Sequence, residues 1–223
     1  DTGKYYVNFL TTLTTICAMS NLDINGKDKV RMAKDERKAL LLAAALEVFT
    51  AAGYHAAAMD EIADRAKVSK PVLYQHFPSK LDLYLAVLDL HIDSLVFDIQ
   101  KAIASTQDNS DRVKATVNAY FNFITQEGEA YRLLFESDMS TEPQVHERLN
   151  RMTYDCAAAL SAVIAIDTGL PKEASMMLAV GLIGTAQTSA RHWIVRDSKV
   201  DLETAGDLVA NLIWRGISGF PKQ

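Results

Sequence analysis

Apolar residues return every three or four positions along most of this chain, and no stretch of useful length alternates, so the pattern predicts helices throughout. From Asp35 the first run carries Leu42, Leu46 and Phe49 at i, i+4 and i+7, and Gly53 stands where a helix C-cap is wanted. Met59–Leu81 then reads as a short helix, a tight turn and a second short helix. Ile62, Ala63 and Ala66 give the first of these an inward face, and Lys67-Val68-Ser69 make the turn. Ser69 is placed to cap the second helix, with Pro71 in its first turn where no N–H partner is lost. Ser79 and Asp82 form a reciprocal cap for a long helix whose stripe (Leu81, Tyr84, Leu88, His91, Leu95, Ile99, Ile103) runs to about Ala104. At 1.5 Å per residue that helix spans about 39 Å, long enough to belong to two domains.

The polar cluster Asp108–Asp111 offers caps for a helix through Val113, Val117, Tyr120, Phe121 and Ile124, before Gly128. A short helix is expected over Tyr131–Ser137, and one capped by Thr141 with Gln144 runs to about Ile166, stopped by Gly169-Leu170-Pro171. Lys172–Val195 and a last helix from Asp201 to about Ile217 complete the chain. The fold class is all-α: an N-terminal three-helix domain over residues 35–80, joined by the long helix to a helical domain over 81–223. Residues 1–34 are set apart as an N-terminal extension, with 1–31 the odd part. Tyr5–Met19 is moderately apolar, but four threonines and Asn8 interrupt it and it is too short to span a bilayer.

Composition changes little in this picture. The 223 residues are 49% hydrophobic and 23% charged, ordinary for a globular protein with a buried core. The net charge of −5 argues against a nucleic-acid partner until the charge is located: Lys27–Lys38 holds six basic residues against three acidic ones. Cys17 and Cys156 lie far apart with no metal or redox spacing, and Cys156 among alanines reads as a buried thiol in a reducing cytoplasm.

The second short helix turns Leu73 and Phe77 inward and leaves Lys70, Tyr74, Gln75 and His76 outside. This is the plan of a helix-turn-helix, whose second helix enters the major groove of DNA while the flanks grip phosphates. Tyr74 and His76 suit phosphate donation, Lys70 a base edge or phosphate, and Gln75 a bidentate contact to adenine. Arg37 and Lys38, at the start of the first helix, are placed to reach the phosphate backbone. Enzymatic chemistry finds no footing. His55, His76, His91, His146 and His192 are scattered without metal spacing, and no Gly-rich phosphate loop or nucleophile elbow is present. No cofactor or metal is expected.

Phe49, Gly53-Tyr54, D-E-I-A at Asp60–Ala63, V-S-K at Val68–Lys70, L-Y-Q-H-F at Leu73–Phe77 and S-K-L at Ser79–Leu81 together resemble the DNA-binding domain of TetR-family transcriptional regulators. The resemblance implies a palindromic double-stranded operator, contacted by Arg37, Lys38, Ser69, Lys70, Pro71, Tyr74, Gln75 and His76. It also implies a phosphate contact for Lys80, at the start of the long helix. It further implies a homodimer formed through the last two long helices. There small residues (Ala179, Gly181, Gly184, Ala186, Ser189, Ala190) alternate with bulk (Leu182, Ile183, Trp193, Leu208, Leu212, Trp214), a pattern that by itself fits an intrachain core equally well.

In the middle of the chain, Tyr120, Phe121, Phe123, Ile124, Phe135, Met152, Leu160, Met176 and Ile183 supply apolar bulk suited either to a core or to a cavity for a long, apolar ligand. Y-R-L-L-F-E-S-D at Tyr131–Asp138, T-E-P at Thr141–Pro143 and A-V-G-L-I-G at Ala179–Gly184 are similar to actinobacterial TetR-type regulators of fatty-acid synthesis. That resemblance implies a long-chain acyl-CoA effector in a hydrophobic tunnel, with Leu95, Ile99, Ile103 and Tyr120 touching or gating the chain. The alternatives are a TetR-type repressor of an efflux or catabolic gene answering another hydrophobic small molecule, and a lipid carrier with a vestigial reader. No membrane partner is expected.

Overall fold

A computed structural model describes residues 34–139, 141–195 and 198–216, all helices and connections with no strand among them. The expected N-terminal extension, apart from Lys34, lies outside the described residues, as does the expected end of the last helix at Ile217. The helices are α1 Lys34–Ala56, α2 Met59–Arg65, α3 Lys70–His76, α4 Lys80–Ala104, α5 Asn109–Gln126, α6 Gly128–Phe135, α7 Pro143–Thr168, α8 Lys172–Val195 and α9 Leu202–Arg215. They form two compact units. Among the described residues, the first comprises Lys34–Leu90 together with Ser137–Met139, and the second comprises His91–Glu136 and those from Thr141 onward. The boundary therefore falls inside α4, some ten residues later than the sequence pattern places it.

In the first unit, α1 buries Leu41, Ala45, Val48 and Phe49, α2 buries Ile62 and Ala63, and α3 contributes Leu73, with Phe77 just after it. Of the described helices, α1 is long and apolar enough to cross a membrane, but these same residues are its contribution to a core. Gly53, at φ 77° and ψ 162°, breaks the regular helix where the C-cap was expected, and one further turn carries the chain to Ala56. The turn between α2 and α3 closes with Val68 N–H donating to Ala63 O at 3.0 Å and places Lys67 in the left-handed region at φ 56°. Ser69 occupies the N-cap position of α3, but its side chain makes no capping bond. Its carbonyl takes the N–H groups of Val72 and Leu73 instead. Ser79 caps the next helix as expected, with Asp82 N–H donating to Ser79 Oγ at 3.1 Å, while the Asp82 carboxylate accepts from the Ser79 hydroxyl at 2.7 Å rather than from its N–H.

An aromatic cluster closes the unit: Tyr84 stands edge-on to Phe49 and to Tyr54, both at 5.2 Å. Tyr84 also hydrogen-bonds Ser137 Oγ at 2.6 Å, and Met139 is buried, which fastens the Ser137–Met139 segment to this unit.

In the second unit α7 and α8 pack along one another, and α5 lies against α8 and α9. Ala179, Ile183, Ala186 and Ala190 form the inward stripe of α8. Small side chains at that spacing let helices approach closely. Gly206 does the same on α9: a Cβ there would stand 2.6 Å from Asn118 Oδ1. Buried Arg112 ties three elements together, donating from Nε to Ile103 O and from Nη2 to Thr106 O, both at 2.9 Å. It also donates to Asn109 Oδ1, and Asn109 in turn donates to Asp167 at the end of α7. These bonds satisfy carbonyls that the end of α4 leaves without helical partners.

Asp108 and Asp201 cap α5 and α9 as expected, and Gly169, at φ 71°, ends α7. Two boundaries differ. The cap predicted from Thr141 and Gln144 does not form, because Glu142 takes the N-cap position without a side-chain bond and Pro143 starts α7. The short helix begins at Gly128 rather than Tyr131, since Glu127 serves as both the end of α5 and the start of α6.

Candidate nucleic-acid interface and effector region

Burial of Leu73 and Phe77 fixes which side of α3 faces out. Ser69, Lys70, Pro71, Tyr74 and Gln75 are all exposed on that side, and His76 is half-buried at its edge. Lys70 Nζ pairs with Asp60 at 2.7 Å, and this hydrogen bond and charge hold its ammonium above the usual lysine range. The pair is solvated, so a phosphate can compete for the lysine at little cost.

The start of α1 meets the end of α3 in a cleft of about 310 Å³ lined by Lys34, Arg37, Val72, Gln75 and His76. Burial, followed by the charges of Lys34, Arg37 and Lys38, pushes the His76 imidazole below the ordinary histidine value, against a smaller opposing pull from Asp35. Four donor side chains (Lys34, Arg37, Gln75 and His76) facing one cleft suit an anionic oxygen. Lys34 is the residue that sequence reasoning missed, having been assigned to the extension. Its i, i+3 spacing to Arg37 on one helical face was the available signal.

Lys80 is used differently from the expectation. Its ammonium donates to the carbonyls of Tyr54 at 2.8 Å and of His55 and Ala57 at 3.1 Å, and lies 4.7 Å from the centre of the Tyr54 ring. The cause is local: the chain leaving α1 at Gly53 presents three carbonyls, and Lys80 supplies three donors. As observed, Lys80 secures the end of α1, and none of its donors is left for a phosphate.

In the second unit, Leu95, Ile99, Ile103, Tyr120, Phe121, Phe123, Ile124, Met152, Leu160 and Ile183 are all buried, while Phe135 and Met176 are half-buried. The structure gathers Leu160 and Ile183 at a crevice with Val117, Ala186 and Ile213, but its volume is only about 10 Å³, barely that of a water molecule. Tyr120 lies against Cys156. Burial drives the phenol well above its ordinary value and the thiol up to about 11, so both are neutral at physiological pH. Phe121 reaches a separate, open groove of about 380 Å³ with His192, Trp193, Val200 and Leu208. There Trp193 Nε1 donates to Val200 O at 2.7 Å and closes the turn between α8 and α9.

The small-and-bulky pattern of α8 and α9 serves two faces. Ala179, Ile183, Ala186 and Ala190 point into the core, whereas Met177, Val180, Leu208, Leu212 and Trp214 are exposed. A run of exposed apolar side chains on adjacent helices is what an interaction face looks like.

Comparison with known proteins agrees with this geometry. Residues 41–87 match the profile of bacterial regulatory proteins of the tetR family. The chain is 48% identical over 191 residues to the HTH-type transcriptional activator FasR of Mycolicibacterium smegmatis, covering 86% of this chain and 87% of that one. It is 20% identical over 181 residues to the fatty acid metabolism regulator protein of Bacillus subtilis, covering 79% and 93%. The fold is similar to that of the transcriptional regulator FadR from Bacillus subtilis, solved in complex with stearoyl-CoA (TM-score 0.67, 19% identity, covering 80% and 98%).

Proposed function

The chain belongs to the TetR family of bacterial regulatory proteins, and from that premise we propose that it is a dimeric regulator of fatty-acid biosynthesis genes whose operator affinity is set by long-chain acyl-CoA. The exposed face of α3 carries the DNA half of this reading: Lys70, Tyr74 and Gln75 stand out from a helix anchored by Leu73, with Arg37, Lys38 and His76 at its flank. A single seven-residue helix binds weakly. Two readers about 34–36 Å apart read a palindrome, and the exposed apolar side chains of α8 and α9 are the surface that would join them.

The effector half is supported by the FasR likeness over most of both chains and by a stearoyl-CoA complex in a protein of the same fold. The relative's designation as an activator favours activation over repression. With the crevice near Leu160 and Ile183 at only about 10 Å³, an acyl chain enters by parting α5, α7 and α8. Such parting gives the ligand unequal affinity for two conformations, the condition for moving an equilibrium. The continuous helix α4, shared by both units, is the covalent route by which the change reaches the reader.

Native mass spectrometry with stearoyl-CoA titrated in tests the reading. A dimer taking up the ligand stoichiometrically is expected. A dimer that ignores acyl-CoA at saturating concentration would remove the lipid effector in favour of another hydrophobic molecule, and a monomer would undo the palindrome.

A further inference from the structure

The cleft between the start of α1 and the end of α3 carries an inference that deepens the DNA-binding reading and rests on it. We propose that a backbone phosphate seats in this cleft between Lys34, Arg37 and His76, and that operator binding is thereby coupled to uptake of a proton by His76. Three observations support it. The cleft lies beside the exposed face of α3, so DNA contacting Tyr74 and Gln75 brings phosphates to its mouth. Its lining supplies two permanent cations from one helix and a titratable ring from another.

The ring is also surrounded by like charge. Lys34, Arg37 and Lys38 of α1 face it, with Asp35 the one opposing carboxylate, while its own helix contributes uncharged Val72 and Gln75. In the free protein burial, and after it these cations, favour the neutral imidazole. A phosphate oxygen among them reverses the balance, because it neutralises the cations and accepts a charge-assisted bond from the imidazolium.

The sign follows from linkage. The histidine value is depressed in the free protein and raised in the complex, so between the two the bound form holds one more proton per subunit. Affinity is therefore full below the free-state value and falls as pH rises through the window. The limit is about tenfold per pH unit for one reader and about a hundredfold for a dimer using both.

The test uses fluorescence anisotropy of a labelled 30-base-pair duplex of arbitrary sequence, because non-specific binding already reports the phosphate contacts. Affinity is measured from pH 5.5 to 8 at fixed ionic strength for the full chain and for His76→Gln, with thermal melting as the check on folding. Calorimetry in two buffers of different ionisation enthalpy counts the protons. The wild-type protein is expected to bind at least fivefold more tightly at pH 5.5 than at pH 8 with net proton uptake, and His76→Gln to lose most of that dependence. Lys34→Gln should move the window to higher pH, since removing a cation raises the free histidine value.

A wild-type profile as flat as that of folded His76→Gln overturns the proposal, as does a pH dependence that survives the substitution intact. Failure to bind duplex at any pH would overturn the DNA-binding reading itself, which separates the two failures.

Discussion

The two units of this chain keep their candidate functional residues in opposite places. In the first unit Lys70, Tyr74 and Gln75 stand on the surface, and an anchoring core of Leu73, Phe77 and Ile62 holds them there. In the second, Leu95, Ile99, Tyr120 and Met152 are the core. A DNA reader must present polar groups that are already positioned, because the duplex is rigid and its phosphates are strong acceptors. A site for an apolar chain uses the same side chains that pack the interior. Until the ligand enters, such a site is indistinguishable from well-packed helices. The contrast implies that substitutions in the first unit can separate binding from stability, whereas substitutions in the second cannot.

The sharpest way to break that contrast is to remove a polar group that stabilises only the second unit. Arg112→Ala leaves the carbonyls of Ile103 and Thr106 without their donor and should cost about 3–5 kcal/mol, read by thermal or urea unfolding. DNA affinity of the protein that remains folded should hardly change.

Lys80→Met follows in size. Loss of three bonds to the end of α1 should destabilise the first unit by about 1–3 kcal/mol. The salt slope of DNA binding should stay the same, because a phosphate-contacting lysine would take about 0.9 from that slope and a structural one takes nothing. A reduced slope would return Lys80 to the contact set.

Tyr74→Ala comes next: DNA binding should weaken by about tenfold, the worth of one hydrogen bond to a charged group, with melting temperature and acyl-CoA affinity unchanged. If DNA and ligand affinity fall together, the division of labour between the units is wrong.

The smallest effect concerns His91 and Glu127, 3.4 Å apart in the second unit. The hydrogen bond to His91 holds the Glu127 carboxyl below its usual range despite burial. A depressed folded-state value means that its stabilisation is present above the unfolded value and is lost as pH falls through the folded one. Glu127→Gln should therefore remove a few tenths of a kcal/mol at pH 7, since the pair is partly solvated, and progressively less as pH falls through the folded-state value.

Legibility in the sequence followed the same division. The helices, the Ser79, Asp108 and Asp201 caps, and the outward set on α3 could be read from periodicity and spacing, because each depends on residues close together in the chain. The bonding of Lys80 is not legible for the opposite reason: its partners at Tyr54, His55 and Ala57 lie more than twenty positions upstream. The sequence pattern starts the first helix at Asp35, whereas the helix includes Lys34, which brings that residue onto the face of Arg37. Periodicity puts Ser137 at the end of a short helix, yet that helix stops at Phe135 and Tyr84 fastens Ser137–Met139 to the first unit. On α8 and α9 the sequence pattern held two faces superimposed, and burial alone separates Ala179 and Ile183 from Leu212 and Trp214.

The central claim is that the exposed face of α3 reads DNA, and that it does so twice in one symmetric assembly. Selection of bound sequences from a random duplex library, with the wild-type chain and Tyr74→Ala in parallel, tests it most directly. The wild-type chain is expected to enrich an inverted repeat whose half-site centres lie about one helical turn apart, or a multiple of it, and Tyr74→Ala to enrich it poorly. Enrichment of no sequence, of an element without two-fold symmetry, or of the same repeat equally well by the variant would contradict it.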